Sequence, residues 1–368
     1  MRDEGTAVGL GFILPPSAFT LPLTAPAARD SIAAHFRLTF IKRTGNGELA
    51  EAMKVLVIGS GGREHALCRT LGRSRAGVPA PRIFCAPGNA GIADSAECVP
   101  IGATDVAALA DFAERERVEL TIPGGESSLA AGLADEFARR RLGVAGPTRD
   151  AARLESSKAF AKEFMLRHRV PTARPRVAAT VREAREILRG GEFGGEDSPV
   201  VVKADGLAAG KGVVVARTRA EADAAVIELI EGGRVGAEAA SRVVIEEALT
   251  GREASLLLWT DGRDYRLMPP ARDHKRVGEG DTGPNTGGMG AVTAPDVLDR
   301  ETLALCVREV VEPTLEGARD DRLDFRGVLF VGLMLTADGP RVLEPGVEAG
   351  AAEHADLGDG GGGHRRRR

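Results

Sequence analysis

The stretch that most constrains the fold covers residues 199–216 and reads PVVVKADGLAAGKGVVVA. Its two short β-branched runs, residues 200–202 and 213–215, have the length and composition of β-strands. The bend between them is rich in glycine, which leaves backbone amides open to a bound oxyanion. The glycines and lysines of interest are Gly206, Gly210, Gly212, Lys203 and Lys211. The stretch predicts a β-hairpin that binds phosphate.

Other phosphate-binding turns fit this stretch less well. A Walker A loop has Ser or Thr after its lysine and leads into a helix, whereas Lys211 is followed by Gly212 and a strand-like run. A dinucleotide-binding turn also leads into a helix. From this stretch alone, a plain hairpin with a flexible glycine tip stays open as an alternative.

Composition limits the classes of function. The 47 glycines among 368 residues are nearly twice the share expected from average usage of about 7%. A net charge of -4 gives no general electrostatic reason to bind nucleic acid or an anionic membrane. The length predicts two or more packed units. Four cysteines without CxxC spacing favour reduced thiols in a reducing compartment.

Residues 1–52 predict a poorly ordered extension. The apolar residues 7–24 have some features of a secretory signal. However, acidic residues outweigh Arg2 where a signal should be basic, and three prolines would break its helix. We therefore expect the ordered protein to begin at Met53.

Residues 53–150 predict an α/β domain with a doubly wound parallel sheet. Three short apolar runs are each followed by a loop and by helical periodicity. These runs begin near Lys54, Arg82 and Val118. Glycine-rich turns at residues 59–62 and 87–91 leave the first two strands at the edge where such sheets bind ligands. A nicotinamide cofactor is disfavoured because the last glycine of the dinucleotide fingerprint is missing.

Residues 151–345 predict a second domain built around the hairpin. A helix is expected over residues 158–168, and residues 243–249 form an apolar run that carries Glu246 and Glu247. Carboxylates at a strand end can accept hydrogen bonds from an adenine amino group or from ribose hydroxyls. A solvated strand tip is the ordinary alternative.

The segment 272–291, RDHKRVGEGDTGPNTGGMGA, is too polar and glycine-rich to predict regular structure. Its length and pattern are typical of a functional loop. The residues of interest are Asp273, His274, Lys275, Arg276, Gly287, Gly288, Met289 and Gly290. They combine charges of both signs with glycines that allow the backbone to approach a small substrate.

The end of the second domain predicts a hairpin and a carboxylate ligand. Residues 328–335 and 341–344 have strand composition and are joined at Asp338 and Gly339. The second strand ends at Glu344, where it can bind a magnesium ion carried by nucleotide phosphates. Residues 346–368 have no periodicity and are expected to be disordered.

Seven motifs, in order, resemble those of a known family. They read KVLVIGSGGREHAL, APGNAGIA, ESSKAFAKEF, VVKADGLAAGKGVVVA, VIEEALTGREAS, DHKRVGEGDTGPNTGGMGA and GVLFVGLML. Together, over roughly residues 53–344, they resemble the phosphoribosylamine–glycine ligases, ATP-grasp enzymes of purine biosynthesis. The resemblance implies a pre-ATP-grasp domain followed by an ATP-grasp domain with a mobile lid over about residues 171–249.

The resemblance also implies the roles of site residues. The ATP-binding set is Lys158, Lys203, Gly206, Gly210, Lys211, Gly212, Glu246, Glu247, Leu249 and Glu253. The substrate-binding set is Gly61, Gly62, Arg63, Asn89, Ala90 and Gly91 for phosphoribosylamine, with Gly287, Gly288, Met289 and Gly290 beside glycine. The catalytic set is Asp273, Lys275 and Arg276, and Glu344 is the metal ligand.

The implied reaction joins glycine to 5-phosphoribosylamine through glycyl phosphate, with ATP and Mg²⁺ or Mn²⁺. The resemblance implies a cytoplasmic monomer with small-molecule substrates and no nucleic-acid or membrane partner. Two alternatives stay open: a nucleotide-binding remnant with impaired catalysis, and an ATP-grasp ligase for another carboxylate.

The sequence departs from the family pattern after Glu344. The family continues with a motif of the form E-F-N, an arginine and a further domain, whereas here Pro345, Gly346 and Val347 follow. The metal-binding asparagine and the arginine are missing from this position. We therefore expect weak turnover from the chain as given, because fixed charges and metal ligands stabilise a transferring phosphoryl group.

Overall fold

The computed structural model describes residues 52–73, 79–208, 212–233, 236, 241–274, 276–279, 282–285, 290–294 and 297–346. The predicted extension before residue 52 and the predicted tail beyond residue 346 lie outside these ranges. Among the described helices, none combines the length and the hydropathy needed to cross a bilayer.

The first part of the chain forms a parallel sheet, as predicted. Its strands are β1 (Lys54–Gly59), β2 (Arg82–Pro87), β3 (Glu97–Cys98) and β4 (Leu120–Pro123), in the order β3-β2-β1-β4. Its helices are α1 (Gly62–Leu71), α2 (Val106–Glu116), α3 (Glu126–Ala130) and α4 (Leu133–Arg139). The first strand is buried over residues 55–58, as expected for a parallel strand covered on both faces.

A second core lies under an antiparallel sheet, the long-stranded sheet, which contains the three longest strands of the described residues. Its helices are α5 (Arg149–Ser156) and α6 (Lys158–Arg167), followed later by α9 (Arg300–Cys306), a π-helical turn (Val307–Val311) and α10 (Glu312–Asp320). The sheet has the order β14-β11-β9-β15-β16, with β10 also paired to β9. Its strands are β9 (Arg252–Thr260), β10 (Tyr265–Leu267), β11 (Ala271–Asp273), β14 (Ala291–Thr293), β15 (Gly327–Thr336) and β16 (Gly339–Gly346). Phe164, Leu256 and Leu333 are among the side chains buried between helices and sheet.

A smaller antiparallel sheet has its own core. Its strands are β5 (Pro175–Ala178), β6 (Val200–Ala204), β7 (Val213–Ala216) and β8 (Val243–Glu247), in the order β5-β8-β6-β7. Helices α7 (Val181–Arg189) and α8 (Arg219–Ile230) cover one face. The predicted hairpin is confirmed, because β6 and β7 pair from Val200 with Ala216 to Lys203 with Val213.

Two local predictions were wrong, and one helix was not predicted. The helical periodicity after the third apolar run predicts one helix that ends near Arg141, but this helix is split into α3 and α4, because Gly132 between them has a left-handed φ of 93°. The helix α5 was not predicted. The segment 272–291 is not irregular throughout, since it contains two residues of β11, the first residue of β14 and the ribbon of β12 (Arg276–Gly278) and β13 (Thr282–Asn285). Pairing partners supplied by the tertiary structure override the weak β-propensity of that segment.

Candidate functional site

The candidate site lies where the smaller sheet meets helix α6 and strand β16. Side chains alternate between the two faces of a strand. In the smaller sheet, one face is covered by helices, and the side chains that point into that core include Val200, Val202, Val243 and Ile245. Lys203 and Glu246 therefore lie on the opposite face of the smaller sheet. The register pairs Lys203 with Val244 and Glu246 with Val201 across β6 and β8. Strands β6 and β8 of the smaller sheet thus place one cation and one anion together on the face opposite its helices, which we call its open face.

Three buried charged side chains form the centre of the site, and we call them the charge triad: Lys162, Lys203 and Glu246. The Lys162 Nζ lies 3.0 Å and the Lys203 Nζ 3.1 Å from the same oxygen, Glu246 Oε2. All three residues are at most 6% exposed. The other oxygen, Glu246 Oε1, is buried and accepts no hydrogen bond from any residue that the structure describes. One carboxylate therefore faces two ammonium groups.

The environment lowers the pKa values of two lysines. Burial lowers the pKa of Lys162 to about 8; repulsion from Lys203 adds to this, and attraction to Glu246 opposes it. Burial also lowers the pKa of Lys158, and attraction to Glu344 opposes that effect. Both shifts show that positive charge is concentrated away from water at this place.

Strand β16 contacts the charge triad through its backbone. Lys203 Nζ donates to Leu343 O at 3.1 Å. Lys162 Nζ donates to Thr172 Oγ1 at 2.6 Å, and that hydroxyl donates to Val342 O at 2.6 Å. The triad consequently joins the smaller sheet, helix α6 and the long-stranded sheet.

Asp205, which follows β6, fixes the base of the glycine-rich bend to helix α6. Its Oδ1 accepts hydrogen bonds from the Ser157 hydroxyl at 3.0 Å and from Ala159 N at 2.7 Å. Its Oδ2 pairs with the Arg242 guanidinium. Ser157 itself caps α6 by accepting from Phe160 N. The strand that carries Lys203 is thereby held against the helix that carries Lys158.

We expect Asp205→Ala to lower the free energy of unfolding by about 2–4 kcal/mol, because it leaves a helix N-terminus and a guanidinium without their buried acceptor. Asp223→Ala is the matched control, since Asp223 pairs with Arg185 but both side chains are more than a third exposed. The control should cost at most about 1 kcal/mol. Urea unfolding of both variants measures the difference, and equal losses would contradict the anchoring role of Asp205.

The open face of the smaller sheet is also apolar in part. Val177 and Val215 are 44% and 47% exposed, and both share this face with Lys203 through the strand register. A flat aromatic base can lie on such valines while its polar edge reaches hydrogen-bonding groups. Leu249 lies in the loop between β8 and β9.

Glu247 is held by Arg174. Burial alone would raise the pKa of Glu247, but hydrogen bonds from the backbone and guanidinium of Arg174, both at 3.0 Å, lower it below its ordinary value. Its side chain is thus bound by Arg174, and its backbone N–H also donates to Arg174 O at 3.3 Å.

Three predicted acidic residues share one face of the long-stranded sheet. Glu344 is opposite Gly332, which is opposite Ser255, and Ser255 is opposite Ala271. Glu253 and Asp273 lie two residues from Ser255 and Ala271 on their strands, so they point to the same side. Ala254, Leu256 and Leu333 point into the core on the other side.

The donor set at Glu344 fits a metal ion that is held partly by a nucleotide. The described residues contain no group of three or more His, Cys, Asp or Glu that could hold a metal. Magnesium is usually bound in proteins by one or two carboxylates together with substrate phosphates and water. Glu344 lies close enough to Lys158 and Lys162 to affect their pKa values, so it faces the same place as the lysines.

The turn after β1 lies at the carboxyl edge of the parallel sheet, as predicted. Gly61 N donates to Glu64 Oε2 at 2.5 Å, and Arg63 Nη1 donates to Gly124 O at 2.8 Å. Asn89 Nδ2 donates to Ser60 O at 2.8 Å, and its Oδ1 accepts from Ile92 N. The structure therefore brings together the predicted residues Gly61, Gly62, Arg63, Asn89, Ala90 and Gly91. The Gly61 amide is already occupied by Glu64.

Several predicted residues cannot be placed. Gly210, Lys211, Lys275, Gly287, Gly288 and Met289 lie outside the described residues, and Arg276 is described only as part of strand β12. Three predicted glycines from the glycine-rich bend and the segment 272–291 are described. The Gly206 carbonyl accepts a hydrogen bond from Lys158 Nζ at 3.2 Å, and the Gly290 carbonyl accepts one from His274 N. Gly212 is buried next to β7.

The sequence reasoning missed Lys162, Thr172, Asp205 and Glu64. One signal for Lys162 was present, since it follows Lys158 by one helical turn and so lies on the same side of α6. Asp205 and Thr172 carry no local signal, because their partners are distant in sequence.

Two family models match this chain. The model described as "Phosphoribosylglycinamide synthetase, N domain" matches residues 53–155, and "Phosphoribosylglycinamide synthetase, ATP-grasp (A) domain" matches residues 156–354. The phosphoribosylamine–glycine ligase of Xanthomonas axonopodis pv. citri is 49% identical over 304 residues, 82% of this chain and 68% of that protein. The ligase of Ralstonia nicotianae is 47% identical over 79% of this chain and 67% of its own length.

Solved structures agree with these matches. The crystal structure of phosphoribosylamine–glycine ligase from Thermotoga maritima has a TM-score of 0.67 at 34% identity, over 80% of this chain and 68% of that one. A biotin carboxylase complex from Campylobacter jejuni has a TM-score of 0.57 at 16% identity, over 81% of this chain and 66% of that one, which shows the shared fold alone. Together with the family models and relatives, these findings show that the chain belongs to the phosphoribosylamine–glycine ligase family, carbon–nitrogen ligases of the ATP-grasp type that act in purine biosynthesis.

Proposed function

We propose that this chain joins glycine to 5-phosphoribosylamine with ATP bound between the smaller sheet and the long-stranded sheet. Lys158 and Lys203 bind the phosphates, and Gly206, Gly212 and the rest of the glycine-rich bend cover them. Glu246 and the backbone of residues 247–249 bind adenine, which lies against the open valines, and Glu253 binds the ribose. The smaller sheet with α7 and α8, within residues 171–249, is the lid of the site.

The observation that carries this proposal is the buried excess of positive charge. In the charge triad two buried ammonium groups, Lys162 and Lys203, share one buried carboxylate, Glu246. A buried charge is costly unless it is paired. The polyphosphate of ATP supplies the missing negative charge, and Glu246 Oε1 supplies a free acceptor for a base amino group or a ribose hydroxyl.

ATP-grasp enzymes use ATP with a divalent metal, and we propose Mg²⁺ or Mn²⁺ here. Glu344 would hold the metal, and a metal bound there would neutralise negative charge on the phosphate oxygens. Lys203 from β6 of the smaller sheet and Lys158 from helix α6 would hold the same phosphates.

The reaction then depends mainly on positioning. The glycine carboxylate attacks the γ-phosphorus and displaces ADP, giving glycyl phosphate; the amine of phosphoribosylamine attacks the acyl carbon and displaces phosphate. Fixed ammonium groups stabilise charge on the transferring phosphoryl oxygens. Asp273 would lie beside glycine, and the resemblance adds Arg276 and Gly290 there, together with Lys275 and residues 287–289, which lie outside the described residues. The turns at Gly61–Arg63 and Asn89–Gly91 would bind phosphoribosylamine.

The test is phosphate release with ATP, Mg²⁺ and an acceptor generated in place as phosphoribosylamine. We expect release with glycine and not with other amino acids or bicarbonate. Release with bicarbonate alone would favour an ATP-grasp ligase for another carboxylate. Nucleotide binding without release under any condition would favour a remnant with impaired catalysis.

Weak turnover remains a prediction that rests on residues 345–346. Gly346 stands where the family pattern has asparagine, and a Cβ there would lie 3.1 Å from Phe330 Cδ1, so an asparagine would require a small shift of that ring. Rebuilding these residues to the family pattern should raise the rate of ligation. Unchanged turnover would show that the metal is completed by other groups.

We also propose a cytoplasmic monomer. The four cysteines, Cys68, Cys85, Cys98 and Cys306, are all free, which suits a reducing compartment. Size-exclusion chromatography with light scattering tests the oligomeric state.

A further inference from the structure

We propose that Lys162 is a positioning residue for ATP: it shares the Glu246 carboxylate so that the charge of Lys203 is left for the nucleotide phosphates. The inference rests on the proposed ATP site and concerns a residue to which that proposal gives no contact with substrate.

The geometry of the charge triad carries the inference. Lys162 and Lys203 approach the same oxygen of Glu246 at 3.0 and 3.1 Å, so neither has the carboxylate to itself. One negative charge neutralises one of two positive charges, and the triad keeps a net positive charge. Without Lys162, Glu246 and Lys203 would form a neutral one-to-one pair, and an incoming phosphate would meet much less positive potential.

Lys162 is held where it can act in this way. Its Nζ donates to Thr172 Oγ1, which is fixed by Val342 O on β16, and the side chain is almost completely buried. It therefore cannot turn toward solvent, and it is too enclosed by Thr172 and Glu246 to serve as an ordinary surface cation.

The charged groups that act on Lys162 lie on three strands, and a further lysine lies on its own helix. Glu246 faces it from β8, Lys203 from β6 and Glu344 from β16, and Lys158 lies one turn earlier on α6. Burial and Lys203 lower the pKa of Lys162, whereas the two carboxylates raise it. Lys162 thus loses its proton above about pH 8, within a range in which the protein can be assayed.

The first experiment compares the parent with Lys162→Met and Lys162→Arg in calorimetry with the β,γ-imido analogue of ATP and with adenosine. We expect Lys162→Met to bind the analogue about ten- to a hundredfold more weakly and adenosine within about threefold of the parent, because only the analogue carries phosphates. Lys162→Arg should retain most of the affinity. If Lys162→Met does not fold, Lys162→Gln replaces it under the same criterion.

The second experiment removes the competing anion. Lys162→Met combined with Glu246→Gln again leaves Lys203 with an uncompensated charge, so we expect affinity for the analogue to recover at least fivefold over Lys162→Met. A merely structural role for Lys162 predicts no recovery, because the double variant has lost still more contacts.

The third experiment follows pH. Because deprotonation of Lys162 has the same effect as its removal, the parent should lose about tenfold in affinity for the analogue between pH 7 and 9, and Lys162→Arg should lose clearly less. Equal pH profiles, or a Lys162→Met variant that binds both ligands like the parent, would overturn the inference alone. Failure of the parent itself to bind the analogue would overturn the proposed ATP site with it.

Discussion

Replacing Lys203 by methionine is expected to weaken binding of a non-hydrolysable ATP analogue about a hundredfold and to lower kcat/KM for ligation by at least as much. The ammonium group lies at the end of β6 on the open face of the smaller sheet, and methionine retains most of the side-chain volume. Loss of one fixed, buried phosphate ligand commonly costs about 10²–10³ in rate. Glu246 keeps Lys162 as its partner in this variant, so the fold should persist.

The matched control is Lys54→Met. Lys54 is half-buried at the start of β1 and also donates one hydrogen bond to a backbone carbonyl, that of Glu116, but it belongs to the parallel sheet. We expect its affinity for the analogue to stay within about twofold of the parent. Equal binding by the parent and Lys203→Met would remove the central assignment of the ATP site.

Gly124→Ala is expected to destabilise the parallel-sheet domain by about 3 kcal/mol and to raise the KM for phosphoribosylamine. An added Cβ would lie 1.8 Å from Glu64 Oε1 and 2.5 Å from Glu64 Cγ. Glu64 is buried and accepts a hydrogen bond from Gly61 N, so its side chain cannot move away from the added methyl group without losing that bond. The cost combines overpacking with loss of a hydrogen bond to a charged group.

Gly125→Ala controls for the chemical change. At Gly125 the nearest atom to an added Cβ is Arg63 Nη1 at 3.7 Å, and the backbone φ of -134° suits alanine. We expect a loss of at most about 1 kcal/mol there. Urea unfolding and steady-state kinetics of the two variants make the comparison, and equal stability of both would show that Glu64 is not confined as described.

Much of the architecture could be predicted because it follows from local patterns of residue type along the sequence. The β-branched runs around the glycine-rich bend predict a hairpin, and β6 and β7 pair as expected. The alternation of strands and helices in residues 53–150 predicts a parallel sheet, which is present. Resemblance to the family then extends these patterns to the roles of residues such as Lys203 and Glu344.

The charge triad and the Asp205 anchor could not be predicted in the same way. Lys162 and Glu246 are 84 positions apart in the printed sequence, and nothing near either residue indicates that they meet. Asp205 follows a strand and has the sequence context of an ordinary bend residue. Its carboxylate nevertheless accepts a hydrogen bond from Ala159 N, at a helix N-terminus 46 positions earlier. The strands within residues 272–291 were missed because pairing partners, rather than propensity, determine them.

The hydrogen bond from Thr172 to Val342 also constrains the order in which the protein can be completed during synthesis. The two residues are 170 positions apart, and Val342 N in turn donates to Pro171 O. At a ribosomal rate of about 5–20 residues per second, the carbonyl that fixes Thr172 emerges roughly 10–30 seconds after Thr172 itself. During that interval Lys162 has no fixed hydroxyl partner, so the nascent chain can form its parallel sheet and its hairpin well before it can assemble a place for the nucleotide.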